Sequence, residues 1–116
     1  MGAATALKYG QAPIIVADSA FVSFKELCRQ VAVRRSPNYV PSCLISCLLP
    51  CFLSKLRKDI LKQADYDIDT LDIEADVGKI SKNTMIIFMS GDDDTLIDKE
   101  HSQQLYNAFE GKSKHL

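Results

Sequence analysis

Carboxylates follow two apolar segments of this sequence, and they are candidates for acid–base or charge-stabilising chemistry. Asp18 comes directly after the apolar segment 12–17, and the run 91–94 (GDDD) follows the apolar segment 83–90. In an open parallel sheet, ligands and catalytic groups collect beyond the carboxyl ends of the strands. These carboxylates are therefore expected at one edge of a sheet. An Asp at a strand end is also a common turn or helix cap, so spacing alone leaves both roles open.

The cysteines are a second group of residues that could take part in chemistry. Cys43, Cys47 and Cys51 recur every four residues, a spacing that places them along one helical stripe. Zinc ligands usually come as two short-spaced pairs, and neither a second pair nor a His cluster is present, so no metal site is predicted. Small apolar side chains on a buried helix face are the favoured interpretation. S-acylation of these thiols is the functional alternative.

The acidic stretch 65–76 resembles a calcium loop, and two of its positions argue against that function. Carboxylates occupy loop positions 1, 3, 5 and 12, at Asp65, Asp67, Asp69 and Asp76. The sixth position is Thr70, where the sharp turn needs Gly, and the eighth is acidic where an apolar residue should pack. Helix caps and solvated acids are the favoured interpretation, and no cofactor is predicted.

Composition bounds the class of protein. The 116 residues are 47% hydrophobic and 25% charged, which is typical of a globular domain with one core. A net charge of −1 excludes a nucleic-acid partner, because neutralising phosphates needs a basic excess. No apolar run approaches the roughly 18 residues that a membrane span requires. The start of the chain lacks the pattern of a secretory signal, so a cytoplasmic location and free thiols are predicted.

The charge is unevenly distributed along the chain. Residues 1–64 carry nine basic and three acidic side chains, whereas residues 65–116 carry five basic and twelve acidic ones. One interpretation is peripheral contact between the basic half and the cytoplasmic face of an anionic membrane. The other is a solvated polar face on each half.

The hydrophobic patterns predict an α/β fold with parallel strands and crossover helices. Strands are predicted at 12–17 and 83–90, each buried on both faces, and a third begins within 112–116. Helices are predicted at 1–9, at 21–35 and at 41–63; the second has a capping box from Ser23 to Glu26, and the third has a break near Pro50. A fourth helix is predicted after the N-cap Asp98, and its apolar stripe consists of His101, Leu105, Ala108 and Phe109.

In this order, four segments resemble the C-terminal half of an α/β-hydrolase of the serine aminopeptidase-like group. They are MGAATALKY, PIIVADSAFVSFKEL, YDIDTLDIEADVGKI and TMIIFMSGDDDTLIDKEHSQQLYNAFEGKSKHL. Members of that group carry G-x-S-M-G at the nucleophile elbow, an apolar strand ending in D-S-x-F, and a strand ending in H-G-x-x-D-x-x-I before a helix. The resemblance covers the chain outside about 35–63. Ser90 departs from it, because the family has His before the glycine.

The resemblance implies a partial α/β-hydrolase fold over residues 1–116, truncated at both ends, with a cap-like helical segment at about 36–64. Asp94 falls on the acid of a Ser-His-Asp triad. Met1 falls on the residue whose backbone N–H helps to form the oxyanion hole, although its nitrogen here is a terminal amine. The serine would directly precede Met1, and the histidine would lie beyond one further strand. Neither His101 nor His115 lies at the histidine position.

The resemblance thus implies the C-terminal portion of a serine hydrolase that acts on small ester, thioester or peptide substrates. The chain as written would be inactive, because its serine and histidine are missing. The alternative from another class is a non-catalytic decoy domain that binds a membrane or a partner through the basic, cysteine-containing cap.

Overall fold

The computed structural model describes all 116 residues, which form a mixed α/β structure. The helices are α1 (Gly2–Lys8), α2 (Phe24–Arg35), α3 (Ser42–Ala64), α4 (Ile73–Val77) and α5 (Lys99–Ala108). A short 3₁₀ helix spans Ile68–Thr70, and the strands are β1 (Ile14–Asp18), β2 (Met85–Met89) and β3 (Lys114–His115). No helix has both the length and the apolar character that crossing a bilayer would demand.

The chain divides into two compact units. The sheet unit comprises Met1–Ser23 and Asp72–Leu116, and the helical unit comprises Phe24–Leu71. The helical unit is therefore an insertion between β1 and β2. Ser23 and Asp72 form an antiparallel bridge where the chain leaves and re-enters the sheet unit, so the two crossing segments are held side by side.

The three strands form one parallel sheet in the order β1-β2-β3. Strand β1 pairs with β2 from Ile14 opposite Met85 to Asp18 opposite Met89. Strand β3 pairs with the other side of β2, with Lys114 opposite Ile86. The predicted α/β class and the parallel pairing are confirmed, and β2 is the central strand.

Only one face of this sheet is fully covered, so the prediction that β1 is buried on both faces is wrong. Ile15 and Ala17 are buried under α1, whereas Ile14 is 57% and Val16 54% exposed. Strand β2 alternates in the same sense. Helix α4 contacts both α1 and α5, so the three helices form one layer over the buried strand side chains. A continuous apolar run does not reveal whether a second layer is present.

Helix α5 begins at a side-chain cap and packs on the sheet through one face. The Asp98 side chain accepts a hydrogen bond from the Glu100 N–H at 3.4 Å, which satisfies a helix-start donor. His101, Leu105 and Phe109 are buried, and they recur every four residues on the face turned to the sheet. The predicted cap and stripe are confirmed, although the helix ends at Ala108, before the Gly111 stop signal.

The helical unit is built on α3, which runs without interruption through Pro50. The predicted break there is wrong, because a proline inside a helix removes one backbone hydrogen bond but leaves the side-chain row intact. That inner row is half-buried and consists of Ile45, Leu49, Leu53, Leu56 and Ile60. Helix α2 and the 3₁₀ helix both contact α3. Packing along this row therefore holds the two halves in one helix.

Candidate functional site

The carboxyl edge of the sheet contains Asp18, the last residue of β1, and the acidic turn that follows β2. Asp18 pairs with Met89, and the Ser19 N–H donates to the Met89 carbonyl at 2.9 Å. The turn 91–94 begins two residues after Met89. Asp18 and this turn therefore leave the sheet at the same edge, where parallel sheets usually place ligands.

Asp94 is held in one orientation by the backbone that follows it. Its Oδ1 accepts hydrogen bonds from the N–H groups of Leu96, at 2.8 Å, and Ile97, at 3.0 Å. The Asp94 N–H donates to the Gly91 carbonyl at 3.2 Å, which closes the turn. Its side chain is half-buried, and Ile97 anchors the segment in the core. A carboxylate fixed in this way can orient a hydrogen-bond donor such as an imidazole.

Asp92 and Asp93 precede Asp94 in the same turn and are both exposed. No hydrogen bond or ion pair involves either side chain. Of the three consecutive acids, Asp94 alone is held by the fold. The two others supply natural controls of the same chemical type.

Ser19 adds an unusual backbone conformation at this edge that sequence reasoning missed. It has a φ of 50°, in the left-handed region that residues with a side chain rarely adopt. Its Oγ donates to Asp18 Oδ1 at 3.3 Å. Such conformations concentrate at functional sites, because the surrounding structure must hold them. The sequence offers only the D-S pair at the end of an apolar run as a signal.

Met1 is the N-cap residue of α1 and is largely exposed. Its carbonyl accepts the Thr5 N–H at 3.0 Å, which begins the helix. Helix α1 packs on β1, and a short loop joins its C-terminal end to the start of that strand. The N-terminal end of α1 is therefore directed towards the carboxyl edge of the sheet.

The two histidines occupy different environments. His101 is 1% exposed, and its Nδ1 accepts the Val22 N–H at 3.2 Å. An accepting Nδ1 carries no proton, so the neutral ring is a structural acceptor for a buried backbone donor. His115 is exposed within β3, opposite Ile87.

We expect His101→Leu to destabilise the sheet unit by about 1–3 kcal/mol, because the buried Val22 N–H would lose its acceptor. Urea unfolding at neutral pH measures this loss. The matched control His115→Leu lies at an exposed position and should shift the free energy of unfolding by less than about 0.5 kcal/mol. Equal stability of His101→Leu and the wild type would contradict a structural role for the ring.

All four cysteines are free thiols. Cys43, Cys47 and Cys51 are exposed on α3, so the prediction that they lie on a buried face is wrong. The inner row of α3 is offset from them by about half a turn, and larger aliphatic side chains occupy it. Cys28 on α2 is half-buried, and this burial raises the pKa of its thiol.

The acidic stretch forms caps and ion pairs. Arg57 binds both oxygens of Asp67 and also contacts Asp69 at 2.8 Å. Asp72 caps α4 by accepting the Ala75 N–H, and Asp76 pairs with Lys79. No three His, Cys, Asp or Glu side chains are placed to hold one metal ion. These contacts stabilise the ends of the short helices between α3 and β2.

The hydrogen bonds from Arg57 lower the pKa of Asp67 below its ordinary value, and the Asp69 N–H contributes in the same direction. Because the pKa of Asp67 is lower in the folded state, the ion pair of Asp67 with Arg57 contributes fully to stability above the unfolded-state pKa. This contribution is lost as the pH falls through the folded-state pKa of Asp67. Arg57→Gln should therefore move the carboxyl titration of Asp67 upward, which NMR of the side-chain carboxyl measures.

The matched control is Arg29→Gln, because Arg29 pairs with Glu26 rather than with Asp67. It should leave the Asp67 titration unchanged. An unchanged titration in Arg57→Gln would show that the backbone donor alone lowers this pKa.

Comparison with protein-family models, with curated proteins and with solved structures finds no match to this chain.

Proposed function

We propose that this chain is the C-terminal portion of a serine hydrolase with an α/β-hydrolase fold, and that Asp94 is its triad acid. The observation that carries the proposal is the fixed Asp94 carboxylate in the turn after β2, beside a parallel strand β3. Because β3 is parallel to β2, a loop leaving its carboxyl end starts at the edge where Asp94 lies. A histidine on that loop would therefore lie at the same edge of the sheet as Asp94.

The direction of α1 supports the same assignment. A residue directly before Met1 would lie at the carboxyl edge where a helix begins, and a nucleophile elbow places its serine at such a helix start. The exposed apolar face of the sheet is a second support. Side chains such as Ile14 and Val16 are covered by helices when a parallel sheet has both of its layers. This face fits a chain that packs against further segments of one domain.

The proposed reaction is hydrolysis of an ester, thioester or amide by the triad. The serine Oγ attacks the substrate carbonyl while the histidine takes its proton. Asp94 accepts the other N–H of that histidine and stabilises the imidazolium. The histidine then returns the proton to the leaving group, and water releases the acyl group by the same steps. Backbone donors near Met1 stabilise the oxyanion.

In this proposal the helical unit is the cap that selects the substrate. It is inserted between β1 and β2, and it contains the predicted cap-like segment 36–64. The segments that enter and leave the helical unit are bridged at Ser23 and Asp72. An insertion of a different length between these two residues would therefore fit the same sheet.

The transcript and a covalent probe test this proposal together. We expect an in-frame G-x-S before the Met1 codon and a histidine codon shortly after Leu116. A fluorophosphonate should then label the longer polypeptide, and it should label neither the 116-residue chain nor the longer polypeptide with that serine replaced by alanine. Stop codons on both sides, or no labelling of the longer polypeptide, would favour the non-catalytic binding domain, and labelling that persists without the serine would show that this serine is not the nucleophile.

A further inference from the structure

Helix α3 carries an outer face that is exposed along its whole length. Six side chains define it at helical spacings of four and three: Leu44, Leu48, Cys51, Lys55, Lys58 and Lys62. Leu48 is 59% exposed, and the adjacent Phe52 is 60% exposed. The inner row lies on the other side of the helix. The outer face is therefore an unpartnered surface of the helical unit.

Polarity changes along this face. Its first half presents leucines, a cysteine and Phe52, and its second half presents three lysines. None of these lysines forms an ion pair, and Asp67 and Asp69 are bound to Arg57 instead. Asp59 is the only acidic residue in α3, and it lies four residues after Lys55 and three before Lys62, so the basic half of the surface carries three positive charges and one negative charge. The lysines are free to bind anions beside an apolar surface.

We propose that the outer face of α3 docks on the surface of an anionic lipid bilayer. Apolar side chains gain free energy in the boundary between headgroups and acyl chains. Lysines beside them are attracted to acidic headgroups at the surface. Since Leu44 and Lys62 are 18 residues apart, the face is about 27 Å long. The apolar end would enter the boundary obliquely while the basic end stays at the headgroups.

The charge pattern favours a bilayer over a second copy of this chain. Two parallel copies joined along this face would bring six lysines together in like-charge repulsion. Two antiparallel copies would place the lysines of each on the leucines of the other and bury unpaired charges. An anionic surface satisfies both halves of the face at once. The inference does not depend on the proposed hydrolase activity.

Co-sedimentation of the 116-residue chain with vesicles tests the proposal. We expect binding to phosphatidylcholine vesicles that contain phosphatidylserine, weak binding to phosphatidylcholine alone, and release as the salt concentration rises. The triple variant Lys55→Gln, Lys58→Gln, Lys62→Gln should bind about a hundred-fold more weakly, at about five-fold per lysine. Its matched control, Lys25→Gln, Lys99→Gln, Lys112→Gln, removes the same charge from exposed positions elsewhere and should lose no more than a few-fold.

The apolar half is tested by Leu48→Glu and Phe52→Glu, with Tyr9→Glu as a control at an exposed position in the sheet unit. The first two should abolish vesicle binding, and the control should retain it. Far-UV circular dichroism verifies the fold of each variant. Equal binding to both kinds of vesicle, or equal losses in the two triple variants, would overturn the proposal. A dimer in sedimentation velocity that Leu48→Glu dissociates would assign the face to self-association instead.

Discussion

Asp94→Asn in the longer polypeptide of the proposed hydrolase should lower kcat about 10⁴-fold, which is the usual effect of removing a triad carboxylate while keeping its shape. Asparagine retains a side-chain oxygen that can accept the Leu96 and Ile97 N–H groups, so the turn is expected to survive. What is lost is the negative charge that stabilises the imidazolium. Steady-state kinetics with an activated ester measures the change, and a thermal melt verifies that the fold is retained.

The adjacent acid Asp93 is the matched control, because it belongs to the same turn and is exposed. Asp93→Asn removes the same charge and should leave kcat within about two-fold, in line with the small effects of exposed substitutions. Equal loss in the two variants would attribute the effect to the general field of the acidic turn. Near-normal activity of Asp94→Asn would remove Asp94 from the mechanism.

Phe88→Ala should destabilise the chain by about 3–5 kcal/mol, a large part of the 5–15 kcal/mol that a domain of this size usually has. Phe88 is 1% exposed at the centre of the sheet and meets the Tyr106 ring edge-on, with the ring centroids 6.2 Å apart. Alanine would leave a cavity between β2 and α5 that neighbouring side chains fill only in part. Urea unfolding followed by circular dichroism measures the loss.

The neighbouring residue Met89 is the control, because it points to the other face of the sheet and is half exposed. Met89→Ala should lower the free energy of unfolding by less than about 1 kcal/mol. Similar losses in the two variants would indicate that the exposed face is covered in solution. That result would contradict the one-layer arrangement of the helices.

Local sequence signals were sufficient for the elements that contain the site. Asp98 is a helix cap because its short carboxylate reaches a helix-start N–H, and this contact needs no distant partner. The two apolar runs form β1 and β2 because β-branched and apolar residues between turn signals favour extended backbone. The same reasoning predicts the acidic turn 91–94 at the end of a strand, and the family resemblance singles out Asp94 within it.

Distant packing decided the features that sequence reasoning missed. The D-S pair does not reveal that Ser19 has a positive φ, because only the surrounding structure holds that conformation. His101 lies on a predicted core stripe, but its role as an acceptor depends on Val22, 79 residues away in the chain. The four-residue spacing of the cysteines predicts that they share one face of a helix. It does not predict whether that face is packed or exposed.

The sequence by itself determined that this protein alternates helices with strands that pair in parallel and that a run of acidic residues follows its second strand. These properties depend on backbone propensities and caps that act within a few residues. Only the tertiary structure decided that α3 continues through Pro50, that β1 is covered on one face, and that the cysteine stripe is exposed. Burial is a property of pairs of surfaces, and an apolar side chain has the same identity whether or not a partner surface covers it.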